Sequence, residues 1–229
     1  MTRHADKDRK KQILDVAEAL FAAKGFHGTR VDEIAKQANV NKATIYYYFS
    51  SKQAILDYLI EEFLNSFVNT SKSLLSSSSF TDTFKNAIHA EGDTIEIMGE
   101  QGFRDLGAFL DEWLEQLLDF FEAKQNILRI IVSESVLDGG NRDVLFKLSD
   151  LIAAGKQVFP EQFEALGIEK LNDATMVMKF FGGILPIVYY AICKDSWSKH
   201  YSVSKETLKQ GMLSLFRIEL MGYSKLFER

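Results

Sequence analysis

"DEIAKQANVNKATIYYYF", residues 32 to 49, decides the fold of this chain. Ile34, Ala35 and Ala38 repeat at helical spacing, and Asn39-Val40-Asn41 interrupts the run before a second one begins at Lys42. Asparagine is among the few non-glycine residues that accept a left-handed backbone, so Asn39 suits a tight turn. Val40 can plug the corner, and Asn41 can cap the next helix, Lys42 to Phe49. The reading is helix, tight turn, helix. Three consecutive tyrosines then need placing, because successive helical residues point about 100° apart and cannot share a face. With Ile45 directed inward, Phe49 lies about 40° away and Tyr48 about 60° to the other side, so these three face the core. Ala43, Thr44 and Tyr47 point outward. Tyr46 lies at the flank, about 100° off, where its hydroxyl can reach a phosphate.

Outward from this stretch, the spacing predicts a first helix from about Lys7 to Lys24, with Ile13, Ala17, Leu20 and Phe21 on one face and Gly25 to end it. Thr29 is expected to cap the second helix, with Asp32 completing a capping-box-like pair. Ser50, with Gln53 in the reciprocal position, is expected to cap a fourth, whose apolar stripe runs through Ile55, Leu56, Leu59, Ile60, Phe63, Leu64 and Phe67 to about Leu75. Beyond "SSSS" at 76 to 79, helices read at about 80–98, 105–124, 126–137, 143–158, 171–194 and 204–223, with breaks at Gly99, Gly102 and "DGGN". Pro186 falls inside a helical run, where proline costs ~3 kcal/mol unless a bend accommodates it, so a kink is expected. No sustained period-2 alternation is read, and the fold class is all-α.

The 229 residues, 46% hydrophobic and 26% charged, suffice for a packed core. Cys193 is the single cysteine, so no internal disulfide forms, and a reducing, cytoplasmic home follows. "TRHADKDRKK" lacks the apolar core of a secretory signal, and the longest apolar run, 180 to 193, is too short for a bilayer, so no membrane partner is expected. Residues 1 to 52 hold ten Lys/Arg and six Asp/Glu, net +4; the remaining seventeen and twenty-six give net −9, and together they make the overall −5. A basic first segment on an acidic body suggests that one end meets a polyanion.

A small residue, a hydroxyl and an aromatic on an exposed helix behind a tight turn suit major-groove docking. Lys52 adds to this. A cation near the positive end of the fourth helix is disfavoured by roughly 0.3–1 kcal/mol, and a DNA phosphate would reverse that sign. The plainer alternative is a solvated lysine beside a hydrophobic helix.

"GFHGTRVDEIAKQANVNKATIYYYFSSKQAIL", Gly25 to Leu56, resembles the DNA-binding segment of the TetR family of transcriptional regulators. The resemblance covers about 50 residues when the first helix is included. It implies an all-α homodimer: an N-terminal helix-turn-helix unit, residues 1–51, joined by a long helix to a C-terminal helical bundle, residues 52–229, that binds an effector and dimerises. Carried over by position, it makes Thr29 and Lys52 phosphate contacts, with Tyr46 and Tyr48 as further ones, and Lys42, Ala43, Thr44 and Tyr47 the groove-facing set. Asn39 replaces the family's turn glycine, Asn41 its serine and Ala43 its frequent glycine. Asn41 remains in the DNA-facing set, and Ala43 bears on base preference.

In the body, the aromatics fall at helical spacing and are core by default. Helix 80–98 would place His89 and Asp93 one turn apart, and Met98, Trp113, Met176 and Phe180 could line an apolar pocket, which makes these six the candidate effector residues. The resemblance assigns dimerisation to the last two helices, where Leu208, Met212, Leu215, Phe216, Ile218 and Glu219 supply a face. No paired Glu-x-x-His motif, phosphate-cradling glycine loop or histidine metal-ligand spacing is found. The expectation is therefore a non-enzyme without cofactor or metal. It is a repressor that binds a palindromic operator in double-stranded DNA as a homodimer and is released by an unidentified small-molecule effector. The alternative is a ligand-independent architectural or cell-division factor whose C-terminal domain binds a protein; a sizeable internal cavity would distinguish the two.

Overall fold

Helix α1 (Arg3–Lys24) buries Ile13, Leu14, Ala17, Leu20 and Phe21 along one face. It begins earlier than the expected Lys7, and Asp6 lies in its first turn, where a carboxylate complements the exposed amides. Gly25 ends it with φ +77 and donates its amide to the Phe21 carbonyl at 2.9 Å. The computed structural model describes residues 3–75, 82–83, 88–91, 94–97, 99–136, 147 and 179–226. Contacts group the chain into two units, Met1–Ser66 with Lys124–Phe146, and Phe67–Ala123 with Lys147–Arg229.

In the first unit α2 (Val31–Gln37) buries Ile34 and Ala35, and its N-cap is Arg30, in extended conformation with no side-chain cap. The expected Thr29–Asp32 capping pair does not form. Instead the Thr29 hydroxyl donates backward to the Gly25 and Leu20 carbonyls, at 2.9 and 3.3 Å. A hydroxyl can accept from an amide or donate to a carbonyl, and the carbonyls of the α1 terminus are the nearer need. Asn39 takes φ +49, the Val40 amide returns to the Ala35 carbonyl at 3.0 Å, and α3 (Lys42–Tyr48) follows with Ile45 buried and Phe49 as its C-cap. Helix α4 (Lys52–Leu75) is capped by Ser51, whose Oγ accepts from the Ala54 amide at 3.0 Å, one residue after the expected Ser50. It buries Ile55, Leu56, Leu59, Ile60 and Phe63 as the stripe predicts.

Helix α5 (Gly99–Ala123) belongs to the second unit, and α6 (Gln125–Val136) returns to the first, packing against α1 with Ile127, Leu128, Ile130 and Ile131 buried. Gly99 carries φ +65 at the first residue of α5, whereas Gly102 is buried inside that helix and breaks nothing. Burial holds the Glu18 carboxyl above its usual range against this face, opposed by Lys124 and the Ile127 amide. Buried Glu134 brings Oε2 within 3.7 Å of His27 Nε2.

In the second unit the helix expected over 80–98 is replaced in part by an antiparallel hairpin. Strands β1 (Ile88–Glu91) and β2 (Thr94–Ile97) pair Ile88 with Ile97 and His89 with Glu96. The signal is present in "IHAEGDTIEI", where two alternating tetrads flank a Gly-Asp pair, the composition of a two-residue hairpin loop. A π-helical turn, Lys179–Ile184, leads into α7 (Leu185–Tyr201), and α8 (Lys205–Leu226) packs on both α7 and α5. Pro186, expected to kink the interior of a helix, instead sits in the first turn of α7 just after this π-helical turn, where proline is tolerated. The core includes Leu114, Leu117, Leu118 and Phe121 of α5, Ile187, Val188 and Ala191 of α7, and Leu213 of α8. The remaining helix expected at 143–158 and the start of that at 171–194 lie outside the described residues, Lys147 apart. Among the described residues no helix is long and apolar enough to cross a membrane. The architecture remains all-α, with the hairpin a local exception.

One glycine of the first unit is fixed by space. A Cβ on Gly28 would lie 2.4 Å from the Lys24 carbonyl oxygen, a backbone atom that cannot step aside. Gly28→Ala is expected to lower stability by about 1–3 kcal/mol, read as a lower urea midpoint at unchanged slope.

Candidate nucleic-acid interface

The outer face of α3 is built by two devices at its start. Asn41 Oδ1 accepts from the Thr44 amide at 2.7 Å and from the Thr44 hydroxyl at 2.8 Å, so the cap holds both the backbone and the first outward hydroxyl. Lys42 and Ala43 are exposed and Thr44 half-buried. Lys42 Nζ pairs with Asp32 Oδ1 of α2 at 2.8 Å, which also raises the Lys42 ammonium above its usual range.

The tyrosines divide as their angles require. Tyr47 is 75% exposed, Tyr46 48% exposed, Tyr48 half-buried, and Ile45 and Phe49 lie in the core. The Tyr48 hydroxyl donates to Asp6 of α1, and this hydrogen bond raises the phenol above its usual range. Its hydroxyl therefore braces α3 against the start of α1. The sequence offered no sign of that pairing, since the partners are separated by more than forty residues with no fixed spacing between them. Lys10 adds a second brace, its Nζ lying 3.8 Å from the Tyr58 ring centre and 5.5 Å from that of Phe49.

Two expected phosphate ligands sit differently from the others. Thr29 is 1% exposed with its hydroxyl directed at two carbonyls, so its side chain offers no surface to a polyanion. Lys52 Nζ donates to the carbonyls of Phe26 at 2.7 Å and Thr29 at 2.8 Å, and stands 4.3 Å from the centre of the Phe26 ring. The structure thus gathers Asn41, Lys42, Ala43, Thr44, Tyr46 and Tyr47 on one face, with Tyr48 at its edge, and turns Thr29 inward. Exposed Lys7, Arg9, Lys11 and Arg30 are further cations of the first unit.

Of the candidate effector residues, His89, Trp113 and Phe180 are described and fall on separate elements. His89 lies on β1 opposite Glu96, so its supposed one-turn relation to Asp93 does not exist; Asp93, Met98 and Met176 are outside the described residues. Phe180 falls in the π-helical turn. Trp113 is half-buried on α5, and its indole Nε1 is buried without a hydrogen-bond partner. Of the expected dimer face on α8, Leu208, Met212 and Phe216 are half-buried, Leu215 and Ile218 are exposed, and Glu219 lies in the same helix. Among the described residues no cluster of His, Cys, Asp and Glu could hold a metal ion.

The first unit's geometry agrees with what the chain is similar to. Residues 13–59 match the family model described as bacterial regulatory proteins, tetR family. The probable HTH-type transcriptional regulator YttP of Bacillus subtilis is 42% identical over 74 residues, 32% of this chain and 36% of that protein. The biofilm operon icaADBC HTH-type negative transcriptional regulator IcaR of Staphylococcus aureus is 41% identical over 62 residues, 26% of this chain and 33% of that protein. The chain thus spans about a third of the length of the curated relatives it matches. Across most of its length it shares a fold with a transcriptional regulator (TerR/AcrR family) from Aquifex aeolicus, with TM-score 0.57, 17% identity, and 92% of this chain and 98% of that one covered. The transcriptional regulator FadR from Bacillus subtilis, solved in complex with stearoyl-CoA, aligns with TM-score 0.52 at 17% identity over 90% of this chain and 96% of that one.

Helix α3 has only two turns, so its cap matters more than it would on a long helix. Asn41→Ala is expected to cost about 1 kcal/mol and to fray the start of α3. Faster hydrogen exchange at the Thr44 amide than in the parent would register it.

Proposed function

We propose, with residues 13–59 taken as the DNA-binding segment of a TetR-family protein, that this chain is a transcriptional repressor that binds a palindromic operator as a homodimer and is released by a small molecule. The observation that carries the reading is the outer face of α3, where Lys42, Ala43, Tyr46 and Tyr47 stand exposed on a capped helix directly behind a tight turn. Lys42, Ala43, Thr44 and Tyr47 read base edges in the major groove. Tyr46 serves the backbone beside them, and Asn41 and Tyr48 set the helix in place. Residues 1–51 then serve DNA, and 52–229 the effector and the second subunit. The chain works by binding, with no catalytic step.

Support for the remaining parts is of a different kind. IcaR is named a negative regulator, which favours repression. FadR, of the same fold, was solved with stearoyl-CoA, and the unpartnered Trp113 indole on α5 suits a molecule that offers it an acceptor atom. Leu215 at 52%, Ile218 at 67% and Tyr189 at 63% exposure give α7 and α8 apolar surface that a second copy would cover. Two such subunits would present α3 to half-sites about 34–36 Å apart.

Selection from a random duplex pool is expected to return a palindrome; a monomer in sedimentation at micromolar concentration, with DNA affinity intact, would remove the dimeric operator reading. Tyr47→Ala should leave stability within about 0.5 kcal/mol, because the ring is solvated, yet change discrimination at one operator position by about 1–3 kcal/mol. Binding isotherms against single-base operator variants check this. An apolar metabolite found by thermal shift should bind less tightly when operator is present, by the same factor by which it weakens DNA binding, with a coupling of about 1–3 kcal/mol. Equal ligand affinity in the two titrations would remove the release mechanism.

A further inference from the structure

The connection from α1 to α2, Gly25 to Arg30, has no regular structure, so its carbonyl groups must find partners one at a time. Gly25 receives the Thr29 hydroxyl. The Phe26 carbonyl receives the Thr29 amide at 3.3 Å and Lys52 Nζ at 2.7 Å, and the Thr29 carbonyl receives Lys52 Nζ at 2.8 Å. One ammonium thus closes the connection from across the chain.

An ammonium has three protons and no acceptor. Two of those of Lys52 lie on carbonyls, and the face of the Phe26 ring, 4.3 Å from Nζ to its centre, takes up the remaining side. Among the described residues no carboxylate pairs with Lys52. The two carbonyl dipoles and the ring quadrupole answer the objection to a cation at the first residue of α4, where the helix presents its positive end. A phosphate is not needed to make the position tolerable. The carbonyl held by Lys52 belongs to Thr29, the residue just before the N-cap Arg30, so the ammonium reaches the start of α2.

We propose that Lys52 is a positioning residue for DNA recognition: it fixes the start of α4 to the start of α2, and thereby sets where α3 is presented, without touching the phosphate backbone. This rests on the DNA-binding reading above. A phosphate ligand and a positioning residue leave opposite signatures. Loss of a phosphate contact lowers affinity for every sequence and flattens the dependence of log K on log[salt] by about 0.9 per subunit. Loss of a brace leaves the charge contacts in place and blunts the preference for operator over random duplex.

The variant Lys52→Met keeps the aliphatic stem and removes the ammonium. It is expected to bind the selected operator about tenfold more weakly, the size expected for losing a charged donor from two carbonyls, with random-duplex affinity and salt slope those of the parent and Lys52→Arg partly restoring operator preference. A flattened slope with operator preference kept would overturn the proposal, as would no change in either quantity. Should Lys52→Met melt too low for the titration, nitrogen-15 spectra of the parent decide. The Lys52 ammonium protons should exchange slowly with water in the free protein and keep their shifts when DNA binds; exchange as fast as at exposed Lys42, or a shift change on adding DNA, counts against it. If the parent binds no duplex the functional reading fails, and the free-protein exchange measurement still tests the brace.

Discussion

A helix of two turns has to be held by its surroundings. Alone in water, seven residues from Lys42 to Tyr48 cannot repay the cost of nucleating a helix, so α3 exists because its neighbours fix it. Four constraints do so: the left-handed backbone at Asn39 sets its direction, Asn41 caps it, Ile45 and Phe49 anchor it in the core, and Asp6 receives the Tyr48 hydroxyl. Only the Asn41 cap touches the outer face, through the Thr44 hydroxyl. Ala43, Tyr46 and Tyr47 thus stand exposed on a helix whose order does not depend on them, and a face already ordered would lose little freedom on meeting a partner.

The same division explains the tyrosine run. Three phenols on consecutive positions look excessive for a core, but each occupies a separate sector: Tyr48 against α1, Tyr46 at the flank, Tyr47 in solvent. The early start of α1 is part of this arrangement. Helix at Asp6 brings its carboxylate to the Tyr48 hydroxyl, and Lys10, one turn on, lies over the rings of Tyr58 and Phe49. The basic first segment is helical from Arg3 onward and braces α3 through Asp6.

Helices α1 to α4 were legible because periodicity, Gly25 and Asn39 each point to one solution. Hydroxyls and cations were less so. Thr29 and Ser50 looked like caps, yet Thr29 donates to carbonyls and Ser51 caps α4, because a hydroxyl serves either purpose and a one-residue shift leaves the pattern intact. Lys52 has partners that spacing does not show, since the two carbonyls it holds lie more than twenty residues away in the chain. The hairpin at 88–97 was missed for another reason. "IHAEGDTIEI" satisfies both a helical and an alternating pattern over so short a span, and the Gly-Asp pair should have decided between them. The one-turn relation expected between His89 and Asp93 rested on that helix, and His89 instead lies on β1 opposite Glu96.

The second unit carries its own division of faces. Lys194 pairs with Glu122, Lys209 reaches Asp119 at 2.8 Å and Glu115 at 3.2 Å, and Arg217 meets Asp111 at 2.6 Å, so every one of these links runs from α7 or α8 to α5. Exposed ion pairs are worth little singly, but Lys209 is largely covered and shared by two carboxylates, which fixes the rotation of α8 about its axis. That rotation decides what faces away. Counting about 100° per residue from Lys209, Leu213 lies about 40° off, toward the interior, whereas Ile218 lies about 180° and Leu215 about 120° off. The charges on one side of α8 therefore dictate that its apolar residues on the other side remain uncovered within a single chain.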